Sequence, residues 1–372
     1  MSFETRLDAV IDDAIAQKRI VGATVLFARG GELLFQRAAG FADREAGAPA
    51  APDTIYRLAS VTKPVVATTA LAMVDAGMIA LDDRVCDLLP WFQPKGPDGA
   101  PADIRIRHLL THTSGLDYTG GAAFLPKGEA ANSGLTDTDL GFEENFARLN
   151  DVPLNFAPGS AWAYSVAIDI LGALIAHITG ETLEAAVVKY VTGPLGMTDT
   201  RFSVTDEARL ATPYADHKPE PVKMRRLHSV ADRYDQLYAF SPGRIFNPKA
   251  FQSGGAGMAG TAGDLLSLLS SYVLPSSTLL KPETARSALQ NQTAPEAVGP
   301  GTGFGFIGSV VTNAAANGKN LPDGAVTWGG VYGNCWSIDP TSGTVGVIMT
   351  NTAMEGCNGA FPDDIWKAFY SA

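Results

Sequence analysis

Serine is a weak nucleophile until a neighbouring group removes its proton, and the tetrapeptide Ser60-Val61-Thr62-Lys63 offers such a neighbour. On a helix, positions i and i+3 share a face, so the Lys63 amine can reach the Ser60 oxygen. A helix start also offers free N–H groups and a positive dipole end to any anion that forms there. The chemistry such a pair could do is acyl transfer through a covalent serine adduct. The same four residues also suit an ordinary helix N-terminus with a surface lysine, so catalysis needs two further parts. One is a group that passes a proton to the leaving atom, and the other is a set of donors for the oxyanion. Tyr164 stands on Pro158–Ser165, just ahead of a strongly helical run, as either a proton carrier or a packing residue. Trp328-Gly329-Gly330-Val331 follows a short strand, and paired glycines there fit a bulge or a close backbone approach at an oxyanion hole.

The elements that must position these residues are legible in outline. Apolar residues Phe3, Leu7, Val10, Ile11, Ala14 and Ile15 fall at helical spacing, and residues 65–74 predict a buried helix stopped at Gly77. Gly22–Arg29 and Glu32–Ala39 predict strands joined across Gly30-Gly31, and Ala325–Trp328, Asn334–Asp339 and Thr344–Thr350 predict three more near the other end. Asp363–Tyr370 reads as a closing helix. Between these ends, Leu135–Leu149, Val166–Thr179 and Thr182–Val191 read as helices, and Thr261 with Asp264 marks the start of another over Leu265–Tyr272. Ala211–Phe251 lacks periodicity and reads as a long loop region. The class is therefore α/β (α+β): an antiparallel sheet built from both chain ends, flanked by helices, with an inserted and mostly helical region. One catalytic domain over 1–372 is expected, with about 1–80 and 255–372 forming the α/β part and about 81–254 the helical part.

Composition narrows the function. A net charge of -11 disfavours nucleic acid or an anionic membrane as a partner. The first residues lack a secretory pattern and no apolar run is long enough to span a bilayer, so the expected location is cytoplasmic. Three cysteines are too few for a disulfide framework; Cys335 and Cys357 could lie close in space and are given no role. Gly303–Gly308 spells G-x-G-x-x-G, but strand-like residues follow it where a dinucleotide fold needs a helix. His108 and His112 have zinc-helix spacing without the intervening glutamate, so no metal is expected. The G-x-S-x-G of an α/β-hydrolase nucleophile elbow is absent.

Taken in order, a set of segments resembles the serine β-lactamase and penicillin-binding-protein superfamily, most closely its family VIII carboxylesterases. They are Tyr56–Lys63, Ile106–Leu116, Pro158–Tyr164, Gly193–Met197, Gly254–Met258 and Trp328–Gly333. The resemblance implies Ser60 as nucleophile, Lys63 as a neutral amine that accepts its proton, and Tyr164 as the proton carrier to the alcohol. It also implies an oxyanion hole from the backbone N–H groups of Ser60 and Val331, and no cofactor. Two departures bear on the substrate: Val166 stands where the β-lactamase pattern has asparagine, and Trp328 where it has the lysine that helps to hold a substrate carboxylate. An aromatic residue in that place suits neutral esters, so a small ester with a short acyl chain is the expected substrate. Tyr118, Phe124, Trp162, Trp328, Gly329 and Gly330 are candidates for its pocket. Other readings on the same scaffold are an amide hydrolase, an acyltransferase and a non-catalytic acyl sensor.

Overall fold

The computed structural model describes residues 2–118, 134–136, 138–231 and 237–371. Phe124 lies outside them. The chain opens with helix α1 (Phe3–Ala16), whose Ser2 side chain caps it by accepting the Thr5 N–H. Strands β1 (Gly22–Arg29), β2 (Glu32–Asp43) and β3 (Ala48–Pro49) follow. Helices α2 (Thr62–Asp75), α3 (Ile106–Leu110), α4 (Ala167–Thr179) and α5 (Ala262–Ser270) come next. Five more strands, β4 (Thr302–Phe304), β5 (Ser309–Val311), β6 (Val326–Gly330), β7 (Asn334–Asp339) and β8 (Thr344–Thr350), lead to α6 (Ala360–Tyr370).

These eight strands form one sheet in the order β4-β5-β6-β7-β8-β1-β2-β3. All of its pairs are antiparallel. Its middle joins the two ends of the chain, with Ala23 opposite Thr350 and Arg29 opposite Thr344. Side chains along β1 alternate between two cores, as a period of two requires. Val25 and Phe27 pack with Leu7 and Ile11 of α1 and Ile365 and Trp366 of α6. Leu26 faces the opposite core, which holds Val65 and Leu71 of α2, Leu265 and Leu268 of α5, and Ile170 and Leu174 of α4. That second core is what holds the start of α2 against the end of β6.

The strand and helix expectations near the two ends match to within a few residues. The middle differs in two places. Leu135–Leu149 is not one helix: Phe142–Phe146 is helical and a tighter 3-10 turn covers Ala147–Asp151. Gly141 sits before it with extended backbone, and the Thr138 hydroxyl accepts the Leu140 N–H, a local bond that competes with helix. Within Ala211–Phe251, Tyr214–Ala215 pairs with Val222–Lys223, and His228–Ala231 pairs with Leu237–Phe240. Short pairs of this kind leave little periodicity in sequence. The Gly303–Gly308 segment is the hairpin of β4 and β5, with Phe304 opposite Ser309.

Candidate active site

Ser60 stands just ahead of α2, in a 3-10 turn over Ala59–Val61. The residue before it, Ala59, has φ of 45°, a backbone conformation unfavourable for a residue with a Cβ. Neighbours hold the turn in place: the Leu58 N–H donates to the Met258 carbonyl at 2.9 Å, and the Asn334 amide donates to the Arg57 carbonyl at 2.7 Å. Gly330, at the end of β6, presses on the same turn. A Cβ at Gly330 would stand 2.1 Å from the Leu58 carbonyl oxygen, so only glycine permits this approach.

Lys63 is 4% exposed, and its Nζ donates to Ser60 Oγ at 3.2 Å, to the Gly255 carbonyl at 2.7 Å and to Tyr118 Oη at 2.8 Å. Tyr164, on the irregular residues before α4, donates to Ser60 Oγ at 2.7 Å. Trp328 Nε1 donates to Tyr164 Oη at 3.2 Å. The nucleophile candidate, the amine and aromatic residues from distant parts of the chain thus share one hydrogen-bonded network. Tyr118 keeps its proton, because burial and then nearby Tyr164 and Asp169 push its pKa well above 10.

Behind this network lies Asp169 of α4, fully buried, whose Oδ1 accepts from Ser253 Oγ and from the Gly255 N–H. Its Oδ2 has no hydrogen-bond partner among the described residues. Burial raises its pKa against the pull of Ser253 and Lys63. Gly255 therefore links the carboxyl group to the amine, its N–H facing Asp169 and its carbonyl facing Lys63.

The structure brings together most of the residues singled out from sequence. Tyr118 and Trp328 lie with ring centroids 5.1 and 5.0 Å from that of Tyr164, and Trp162 is 6.5 Å away. Trp162 also borders a separate cavity of about 220 Å³ with Arg107, His108 and Thr113. A larger cavity, about 750 Å³, lies between Tyr272, Leu280, Leu289 and Val310, and none of Ser60, Lys63 or Tyr164 lines it. The N–H groups of Ser60 and Val331 are taken up by no turn, loop or cap hydrogen bond among the described residues. Val166 is fully buried at the start of α4.

Sequence reasoning missed two roles. It placed Tyr118 on the pocket wall, whereas its hydroxyl bonds the amine. It weighed His112 only as a zinc ligand, whereas His112 is buried beside Tyr164, with ring centroids 4.9 Å apart. Burial and nearby Lys63 hold its pKa well below 6.5. The thiols of Cys335 and Cys357 are both free, and Cys357 Sγ lies 2.6 Å from where a Cβ on Gly329, the register partner of Cys335, would stand. Burial pushes Cys335 up to about 11 and Cys357 higher, so neither is a ready thiolate.

The chain and its fold have counterparts among known proteins. The chain is 44% identical over its whole length to "Esterase EstB" of Burkholderia gladioli, covering 96% of that protein. The solved structure of "EstCE1, a hydrolase with promiscuous acyltransferase activity" superposes with a TM-score of 0.93 at 38% identity, covering 99% of this chain and 98% of that one. Monacolin J acid methylbutanoyltransferase of Aspergillus terreus is 28% identical over 79% of this chain and 76% of its own length. The Beta-lactamase family model matches residues 7–359. With the whole fold and almost the whole length accounted for in this way, the chain belongs to the β-lactamase family.

Proposed function

We propose that this protein is a serine carboxylesterase of the family VIII kind, hydrolysing small neutral esters with short acyl chains through an acyl-enzyme on Ser60. The observation that carries the reading is the meeting of Lys63 Nζ and Tyr164 Oη at Ser60 Oγ, at 3.2 and 2.7 Å. A neutral amine has two hydrogens and one lone pair. The Gly255 carbonyl can only accept, and the Tyr118 hydroxyl takes the second hydrogen, which directs the lone pair toward Ser60. Lys63 then removes the Ser60 proton as Oγ bonds the acyl carbon. The oxyanion is received by the N–H groups of Ser60 and Val331. Tyr164 gives its proton to the departing alcohol and regains one from Lys63, leaving the ester on Ser60. Water attacks that ester by the reverse transfers.

The neutral Trp328 supports uncharged substrates, and its ring packs beside that of Tyr164. Loss of a cationic partner for a buried carboxylate weakens recognition by about 2–5 kcal/mol, which stands against β-lactams. The likeness to EstCE1 favours one additional outcome, transfer of the acyl group to an alcohol in place of water. Three free thiols accord with a reducing compartment, and the cytoplasm is the proposed location.

The test is hydrolysis of p-nitrophenyl butyrate by Ser60→Ala protein. A loss on the order of 10³-fold or more is expected, together with loss of fluorophosphonate labelling. Undiminished turnover in the variant would sink the assignment. Added butanol should yield butyl butyrate if transfer competes with hydrolysis.

A further inference from the structure

We propose that His112 is a positioning residue for Tyr164, acting as a neutral imidazole that clamps the backbone on both sides of the tyrosine. The proposal rests on the reading of Tyr164 as proton carrier. His112 lies just past α3, with φ of 56° in the left-handed region, where histidine is tolerated better than most side chains. From there its carbonyl accepts the Ala163 N–H at 3.0 Å, and its Nδ1 accepts the Ser165 N–H at 3.3 Å. Both flanking residues of Tyr164 are therefore fixed by one side chain and its own backbone.

A backbone N–H can only donate, and the Ser165 N–H is directed at Nδ1, so we assign Nδ1 as the acceptor and the ring hydrogen to Nε2. Ser165 Oγ, 3.1 Å from Nδ1, accepts the Ala167 N–H at 3.3 Å, which carries the clamp into the first turn of α4. The imidazole also packs against Phe304, with centroids 5.3 Å apart, and this fixes the ring from behind. A protonated ring would point a donor at the Ser165 N–H and set a cation near Lys63 just where Lys63 must take up the Ser60 proton. Its complete burial and the neighbouring amine both oppose that state.

The test compares His112→Asn, His112→Gln, His112→Phe and Tyr164→Phe on two butyrate esters. One is the p-nitrophenyl ester, whose phenolate leaves with little help. The other is an alkyl ester, whose alkoxide must be protonated as it departs. Asparagine sets its amide oxygen near the Nδ1 position and accepts a left-handed backbone; glutamine reaches toward Nε2 instead. His112→Phe and His112→Gln should lose on the order of 10- to 100-fold in kcat on the alkyl ester, but only a few-fold on the p-nitrophenyl ester. His112→Asn should stay within a few-fold of the parent on both. Equal losses on the two esters, or glutamine performing as well as asparagine, would overturn the proposal; the asparagine–glutamine contrast decides it even if the phenylalanine variant does not fold. If Tyr164→Phe itself shows no leaving-group-dependent loss, the tyrosine's role fails and the proposal with it. If Tyr164→Phe loses the alkyl ester while every His112 variant retains it, only the proposal fails.

Discussion

Tyr164 Oη gives one hydrogen bond to Ser60 and takes one from Trp328 Nε1, so its orientation depends on an indole N–H that no aliphatic residue supplies. Trp328→Phe keeps an aromatic ring and removes the donor. The change should reduce kcat/KM about fivefold, the equivalent of roughly 1 kcal/mol, with thermal stability nearly unchanged. Steady-state kinetics beside a melting curve will show whether the N–H or the ring is what matters. At this scale the sequence was most legible where spacing is local. Ser60 and Lys63 are one turn apart, so spacing allows their meeting, although a surface lysine fits the same tetrapeptide. Tyr118 is 55 residues from Lys63, and no local pattern says that its hydroxyl bonds the amine. His112 was harder still, because its role comes from a left-handed backbone and a neighbour 53 residues away.

Two elements meet at Ser60: the start of α2 and the last residue of β6. Gly330→Ala would push a methyl group into the Leu58 carbonyl. The strand end must then retreat, at a cost of about 1–3 kcal/mol in stability, and Val331 moves with it. Acylation should slow on the order of 10²-fold, measurable as the rate of the p-nitrophenol burst. Helix α4 carries a different liability in Asp169. Its pKa is raised by burial, so the native state binds its proton more tightly than the unfolded chain does. Stability from this group is therefore greatest at low pH and falls as pH rises from the ordinary carboxylate range through the raised value. Asp169→Asn retains an acceptor for Ser253 and Gly255, so its melting temperature relative to the parent should climb between pH 4 and 8. A constant difference across that range would contradict this account. The Val166–Thr179 run with its stop at Gly180 made α4 plain in sequence, and the Thr261–Asp264 start signal did the same for α5. The Leu135–Leu149 helix failed because Thr138 and Gly141 favour local alternatives that an apolar count ignores.

For the molecule as a whole, the sheet is where the chain's beginning and end become one body. Strand-like runs concentrated at both ends, with helices between them, made the antiparallel sheet predictable. The strand order was not, because nothing in β1 itself says that β8 lies beside it. Ending the chain after Ser342 would remove β8 and α6, leaving β1 and β7 with open edges and stripping α6 from the Val25–Phe27 face. Such a protein should sediment as large aggregates and show no esterase activity.

Because Ala23 waits for Thr350, more than three hundred residues must leave the ribosome before the central ladder can close. During synthesis, the β1–β2 hairpin is a solitary ribbon with sticky flanks, exposed to any other nascent chain nearby. The late arrival of its partner ties the yield of active protein to translation speed and chaperone supply as well as to final stability.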